Sequence, residues 1–296
     1  DDTESDTDLM HRIGAVDTQG RLSQAAVVLL TPLDRVLIDL TILEVEGGDV
    51  INRVSPEPWH TLLEQIDVIE RACDVVNTGI TLGASFAHEV VRRVPMAAVR
   101  EALLNGVIHR DWNSHHPTEV RWVEADSSLT VRSPGGFTGG VTEDNVLTHR
   151  HPRHPALADL FRVLGLVEKQ GLGVDRMYTA MISLGHRPPR VTETPGPYVV
   201  SELVGGVPNT AVMALIRHVR PEARQKDVRI VLLIDALLHR PFLTDETAAV
   251  VLQTDVLSAR GAFEAARQTT IAGTPLLRRY KNVWLFGYAA FDYARL

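Results

Sequence analysis

Cysteine is almost missing from this chain of 296 residues: Cys73 is its single one. That excludes an intrachain disulfide and points to a reducing compartment, with Cys73 reading as a small core residue in an apolar helical run. Long hydrophobic runs are missing too. Ala25 to Leu30 is short, and Asp235 interrupts Ile230 to Leu238. No segment reads as a membrane span or a secretory signal, so a cytoplasmic location is expected. Several catalytic signatures are absent as well. Gly171-Leu172-Gly173 is not followed by Lys-Ser/Thr, which excludes the P-loop, and it lacks the third glycine and the parallel βαβ setting of a dinucleotide fingerprint. His109-Arg110-Asp111 has no kinase glycine loop, strand lysine or Asp-Phe-Gly beside it, and His116 stands where that loop needs Asn. No Ser-His-Asp or Cys-His arrangement follows from spacing.

What is present is an ordinary globular composition, 45% hydrophobic and 23% charged, long enough for two or three domains. The net charge of −7 is uneven. Residues 1–207 hold 18 basic and 29 acidic side chains, whereas residues 208–296 hold 12 and 8. Only the C-terminal piece is electrostatically suited to a polyanion. The chain opens Asp1-Asp2-Thr3-Glu4-Ser5-Asp6 rather than on methionine, which predicts a fragment or processed chain beginning in an acidic, loosely ordered segment.

The stretch from Arg100 to Trp112 reads as one amphipathic helix. Val99, Leu103, Val107, Ala102 and Ile108 make its apolar stripe, and Pro95 stands where a helix can begin. Glu101, Asn105 and His109 recur every four residues and stack on one flank. Such a flank is most often merely solvated; a carboxylate and an amide oxygen at this spacing could also hold a hydrated Mg²⁺ and orient a water. Gly171 and Gly173 open a second helix, where backbone N–H groups can receive phosphate oxygens. Pro134-Gly135-Gly136 is a turn leaving a strand, Gly135 and Gly136 supplying its freedom. The histidines cluster at His109/His115/His116 and His149/His151/His154, but without carboxylate or cysteine partners, and no structural metal is predicted.

The expected organisation runs as follows. Residues 9–50 hold short elements, with Ala25 to Leu30 a strand or buried helix and Val36 to Val45 extended. Residues 59–78 are helical. Val120 and Trp122, then Leu129 and Val131, alternate about Asp126-Ser127-Ser128 as a hairpin. Residues 156–166 and 173–184 are helices, and Tyr198 to Leu203 is a final strand. Helices on one face of a sheet make an α+β sandwich. Beyond Pro208, Asp227 to His239 is a helix, Thr244-Asp245-Glu246 and Thr254-Asp255 cap two more, and Pro275 to Phe286 is a hairpin. Three helices and a hairpin match a winged helix-turn-helix plan. Ser258 and Arg260 fall on the outer face of its third helix, and Arg278, Arg279 and Lys281 cluster at the hairpin tip, where they could contact phosphates of double-stranded DNA. The alternative is a protein-contact module with a solvated tip.

The strings Arg100 to Trp112, Ser133-Pro134-Gly135-Gly136, Arg153-His154-Pro155 and Glu168 to Arg176 resemble the bacterial transcriptional-regulator family with a RecG-C-terminal-like, ATP-binding domain. The resemblance covers roughly residues 90–205. Residues 9–90 resemble the later part of a Schlafen/AlbA-type DNA-binding domain, and residues 215–287 the winged-helix tail that often follows. It implies three domains: 1–90 Schlafen/AlbA-type, 91–207 Bergerat-like (the ATP-binding fold of gyrase B and histidine kinases), and 208–296 winged helix-turn-helix. By similarity Glu101 would be the general base and Asn105 the Mg²⁺ ligand of a bound Mg-ATP. Gly135 and Gly136 would form the first glycine turn, and Gly171 and Gly173 the phosphate-side box. The chain departs from the ATPases where Ser133-Pro134 replaces the aspartate that reads the adenine amine, and where Val174-Asp175 follows the short glycine box. The implied function is a cytoplasmic DNA-binding regulator, homo-oligomeric in one version, with nucleotide as its ligand. The alternatives are a slow Mg²⁺-dependent ATPase and a dimerisation scaffold that binds no nucleotide.

Overall fold

The computed structural model describes residues 5–83, 89–167 and 173–287. In order, the chain forms α1 (Asp6–Arg12), α2 (Gln24–Leu30), β1 (Ile38–Leu43), β2 (Val50–Val54), α3 (Leu62–Val76), β3 (Gly79–Leu82), β4 (Glu89–Arg92) and α4 (Met96–Ile108). It continues through β5 (Thr118–Val123), β6 (Ser128–Pro134), α5 (Pro155–Val163), α6 (Gly173–Ser183), β7 (Arg190–Thr194), β8 (Tyr198–Val204) and α7 (Thr210–Arg217). The last part holds β9 (Val219–Arg220), α8 (Val228–His239), α9 (Asp245–Val251), α10 (Val256–Arg267), β10 (Thr270–Ile271), β11 (Thr274–Pro275), β12 (Leu277–Tyr280) and β13 (Val283–Phe286).

Local chemistry explains most helix starts. Ser5, Ser23, Asp227 and Asp255 cap their helices by accepting a backbone N–H, and Thr61 with Glu64 forms a complete capping box on α3. The principal sheet has the order β2-β1-β5-β6-β8-β7. All its neighbours are antiparallel except β1 and β5, which run parallel with Leu40 beside Val120 and Ile42 beside Trp122. Strand alternation buries Val120, Trp122, Leu129 and Val131 on one face, where α4 lies over β6 and β8 and α3 over β1. The outcome is a mixed α+β fold with a mostly antiparallel sheet, as the α+β expectation states at that level.

Three local expectations change. First, α4 stops at Ile108 rather than Trp112. His109 is its C-cap, and the fully buried Arg110 then donates to the carbonyls of Leu37 (2.8 Å), Ser114 (3.2 Å) and His116 (2.7 Å). Those bonds draw the chain out of the helix toward β5. Second, β2, β3, β4, β7 and α7 form where the sequence reading had no element. Third, the boundary expected at residue 90 has no seam: β1 and β2 from the first segment belong to the same sheet as β5 to β8, and their apolar residues join the same core.

C-terminal to this sheet, α8, α9 and α10 pack together, with the β12–β13 hairpin against α10. Phe263 of α10 stacks on Trp284 of β13, ring centres 4.5 Å apart. Helix α6 is shared, packing on α4 on one side and on α8 on the other. Among the described residues, no helix is long and apolar enough to cross a membrane.

Candidate functional site

Helix α4 carries the expected stripe, and its apolar side sits directly on the sheet. Gly106 permits this approach, because a Cβ there would come within 2.8 Å of Val131 Cγ1 and 3.2 Å of Thr118 Cγ2. The Gly106 carbonyl accepts the Ser133 hydroxyl at 2.5 Å. With α4 fixed in this way, Glu101, Asn105 and His109 all face one cavity of about 430 Å³, a volume within the range of small-molecule sites. Val131, Val199 and Ser201 form its floor and the start of α6 one wall; the segment 137–152, a strap with neither helix nor strand, closes it.

Glu101 is not on a solvated flank: only 3% of it is exposed. Arg176 of α6 donates to its carboxylate at 3.1 Å. Gly173, the first residue of α6, lies so close that a Cβ there would fall 2.5 Å from Glu101 Oε2. A glycine at this position therefore lets the helix start meet the carboxylate. Asn105 is half-buried, and no hydrogen bond holds its carboxamide among the described residues. His109 lines the cavity and keeps an exposed surface. Desolvation by the surrounding protein, reinforced by the charge of Arg153 and by His154 and His151, holds its imidazole down to about 4.

The two glycines of the first turn separate. Gly136 lines the cavity; Gly135 does not. Gly135 has φ +100°, and a Cβ there would meet both the Arg153 guanidinium and Asp111 at 2.9 Å. Arg153 donates from Nε to the His109 carbonyl (2.9 Å) and from its terminal nitrogen to the Gly136 carbonyl. It thereby clamps the end of α4 to the glycine turn, a role that the string Arg153-His154-Pro155 did not reveal. Glu193 of β7 accepts the Phe137 N–H at 2.7 Å and fixes the far side of the same turn. Gly171 lies outside the described residues.

Sequence reasoning also missed the strap. His149, Arg150 and His151 line the cavity, with His149 donating to the Gly139 carbonyl at 2.7 Å and Arg150 paired to Asp175 at 3.1 Å. The His-x-His spacing was the available signal. Among the described residues, no group of three His, Cys, Asp or Glu could hold a metal ion.

The C-terminal candidates lie on another part of the molecule. Ser258 donates its hydroxyl to Asp255 at 2.6 Å, and Arg260 pairs with Asp245 at 2.7 Å. Asp245 also accepts the Trp284 indole N–H at 3.0 Å, so these contacts brace α9, α10 and β13. The exposed residues Arg278, Arg279, Tyr280 and Lys281 form the hairpin tip.

Two family models each match part of the chain. Residues 125–201 match the family described as "Putative ATP-dependent DNA helicase recG C-terminal". Residues 210–294 match a "Family of unknown function (DUF5635)". A solved structure, the DIP2311 protein from Corynebacterium diphtheriae, is 52% identical, with a TM-score of 0.94 over 99% of this chain and 60% of that one. The chain thus spans about three fifths of the length of that relative. No curated protein matches. The RecG-type match supports the ATPase-like part of the resemblance, and it includes the glycine turn and the cavity floor but not α4.

Proposed function

We propose that the cavity is a nucleotide-binding site of a DNA-binding regulator. The observation that carries this reading is the convergence on one cavity of Glu101 and Asn105 from α4, Gly136 from the first turn and Gly173 at the start of α6. The donor set suits a magnesium–nucleotide ligand: the Asn105 oxygen would take the cation, the backbone at Gly173 would face phosphate, and Arg150 would balance negative charge. Bound magnesium would supply charge neutralisation at the phosphates. The base end of the cavity offers Ser133 and Ser201 among valines, and the Ser133 hydroxyl is already committed to Gly106. No carboxylate there reads a purine amine, which favours weak base discrimination.

Binding without hydrolysis is the favoured version. A general base needs a free carboxylate lone pair aimed at water, whereas Glu101 is nearly buried and ion-paired with Arg176. An open cavity argues against the scaffold reading. For the second half of the function, α8 to α10 and the β12–β13 hairpin are read as a winged helix whose tip, Arg278, Arg279 and Lys281, contacts phosphate. The excess of basic side chains in residues 208–296 supports that reading.

Calorimetric titration with Mg-ATP tests the site. The expected result is binding by the unaltered protein and at least tenfold weaker binding by Asn105→Ala. Absence of heat with both proteins would overturn the reading.

A further inference from the structure

The strap that closes the cavity is fastened to the turn between α9 and α10. Gln253 occupies that turn with φ +50°. Its side-chain oxygen accepts the Leu147 N–H at 3.1 Å, and its backbone carbonyl accepts the Thr148 hydroxyl at 2.7 Å. One residue of the α9–α10 turn therefore holds two consecutive residues of the strap, through its side chain and through its backbone.

The strap is also a shared wall. Val146 faces the cavity described above, and the next two residues, Leu147 and Thr148, line a second cavity beside α8 together with Leu232 and Leu252. Then His149, Arg150 and His151 return to the first cavity. Helix α6 divides likewise: Val174 and Met177 face the first cavity, Asp175 and Thr179 the second. The Arg150–Asp175 pair crosses from one to the other. Inside the strap, Asn145 accepts the Thr142 N–H at 2.7 Å and donates to the Gly140 carbonyl at 3.0 Å, so the segment is built as a unit rather than a slack loop. A built wall with few places to flex transmits a shift to its fastening.

We infer that the strap and the α9–α10 turn form one cooperative unit clasped by Gln253, through which filling of the cavity reaches the C-terminal helices. This regulation rests on the ligand site proposed above, but the clasp itself does not. Coupling of this kind is reciprocal: whatever loosens the turn loosens the strap, and the reverse.

Amide hydrogen exchange tests it in two arms. The first needs no ligand. Gln253→Gly deletes the carboxamide and suits the positive φ, so the fold is kept. Loss of this part-buried hydrogen bond predicts roughly fivefold to tenfold faster exchange at Val146 to His149. Thr148→Val, which loses the other bond, predicts a similar rise at Leu252 to Thr254. Unchanged exchange across the clasp in both variants overturns the inference. The second arm adds a non-hydrolysable Mg-ATP analogue. In the unaltered protein, protection is expected at both 142–151 and 250–256; in Gln253→Gly, only at 142–151. Protection of the strap without the turn in the unaltered protein overturns the coupling. Absence of protection at the strap counts against the nucleotide reading alone, and the clasp is then judged by the first arm.

Discussion

His109 shows how a single side chain can carry the character of its surroundings. Burial and the neighbouring Arg153 charge disfavour its protonated form, so the folded chain holds it neutral down to about 4 while the unfolded chain takes up a proton near the ordinary value of about 6.5. The unfolded state therefore binds more protons in that interval. The contribution of His109 to stability is fully present above about 6.5 and is lost as pH falls toward 4. An NMR titration of its ring proton should give a midpoint near 4, and an ordinary midpoint would show that the surrounding protein does not desolvate the ring. Arg153 and Glu101 are the other residues in which surroundings decide. Each spends its charge on a neighbour inside the protein, Arg153 on two carbonyls and Glu101 on Arg176.

Among elements, α4 is the one whose seating everything else depends on. Gly106→Ala should gain about 1 kcal/mol of helix propensity. Its Cβ, however, would press on the stiff β-branched Val131 and Thr118, and overpacking of that kind costs about 1–3 kcal/mol. The variant is expected to be less stable in urea by up to about 2 kcal/mol net, and a stabilised variant would mean that α4 sits further from the sheet. The helix itself was legible in the sequence because its period, its proline start and its apolar stripe are all local. So were the β5–β6 hairpin and the caps Asp227, Thr244 and Asp255. The strands β2 and β7 were not legible: both lie at sheet edges, and Val50 and Ile51 of β2 are exposed, so no alternation marks them. In the site, the Glu101-Asn105-His109 flank was visible from spacing. The Arg176 partner, the Arg153 clamp and the Gln253 clasp join residues far apart in the chain, and no periodicity encodes such contacts.

At the scale of the whole molecule, the first two thirds are acidic and the last third carries a small basic excess. If the hairpin tip contacts phosphates, replacing both Arg278 and Arg279 by alanine should weaken duplex binding. It should also lower the slope of log affinity against log salt by about 2. A gel-shift titration of mixed-sequence duplex at several salt concentrations reads both, and an unchanged low-salt affinity removes the tip from the contact. Helix α6 stands between these two regions, with the cavity on one side and α8 on the other.

The parallel pairing of β1 with β5 has a consequence in time. β1 can pair with the adjacent β2 at once, but Leu40 must wait for Val120, and Ile42 for Trp122, before those two strands join the rest of the sheet. During synthesis at about 5–20 residues per second, β1 and β2 therefore leave the ribosome seconds ahead of the strand that will hold them. The β5–β6 hairpin can close at once, since its strands are adjacent in the chain. The sheet thus joins two local pairs, β1–β2 and β5–β6, across its parallel seam.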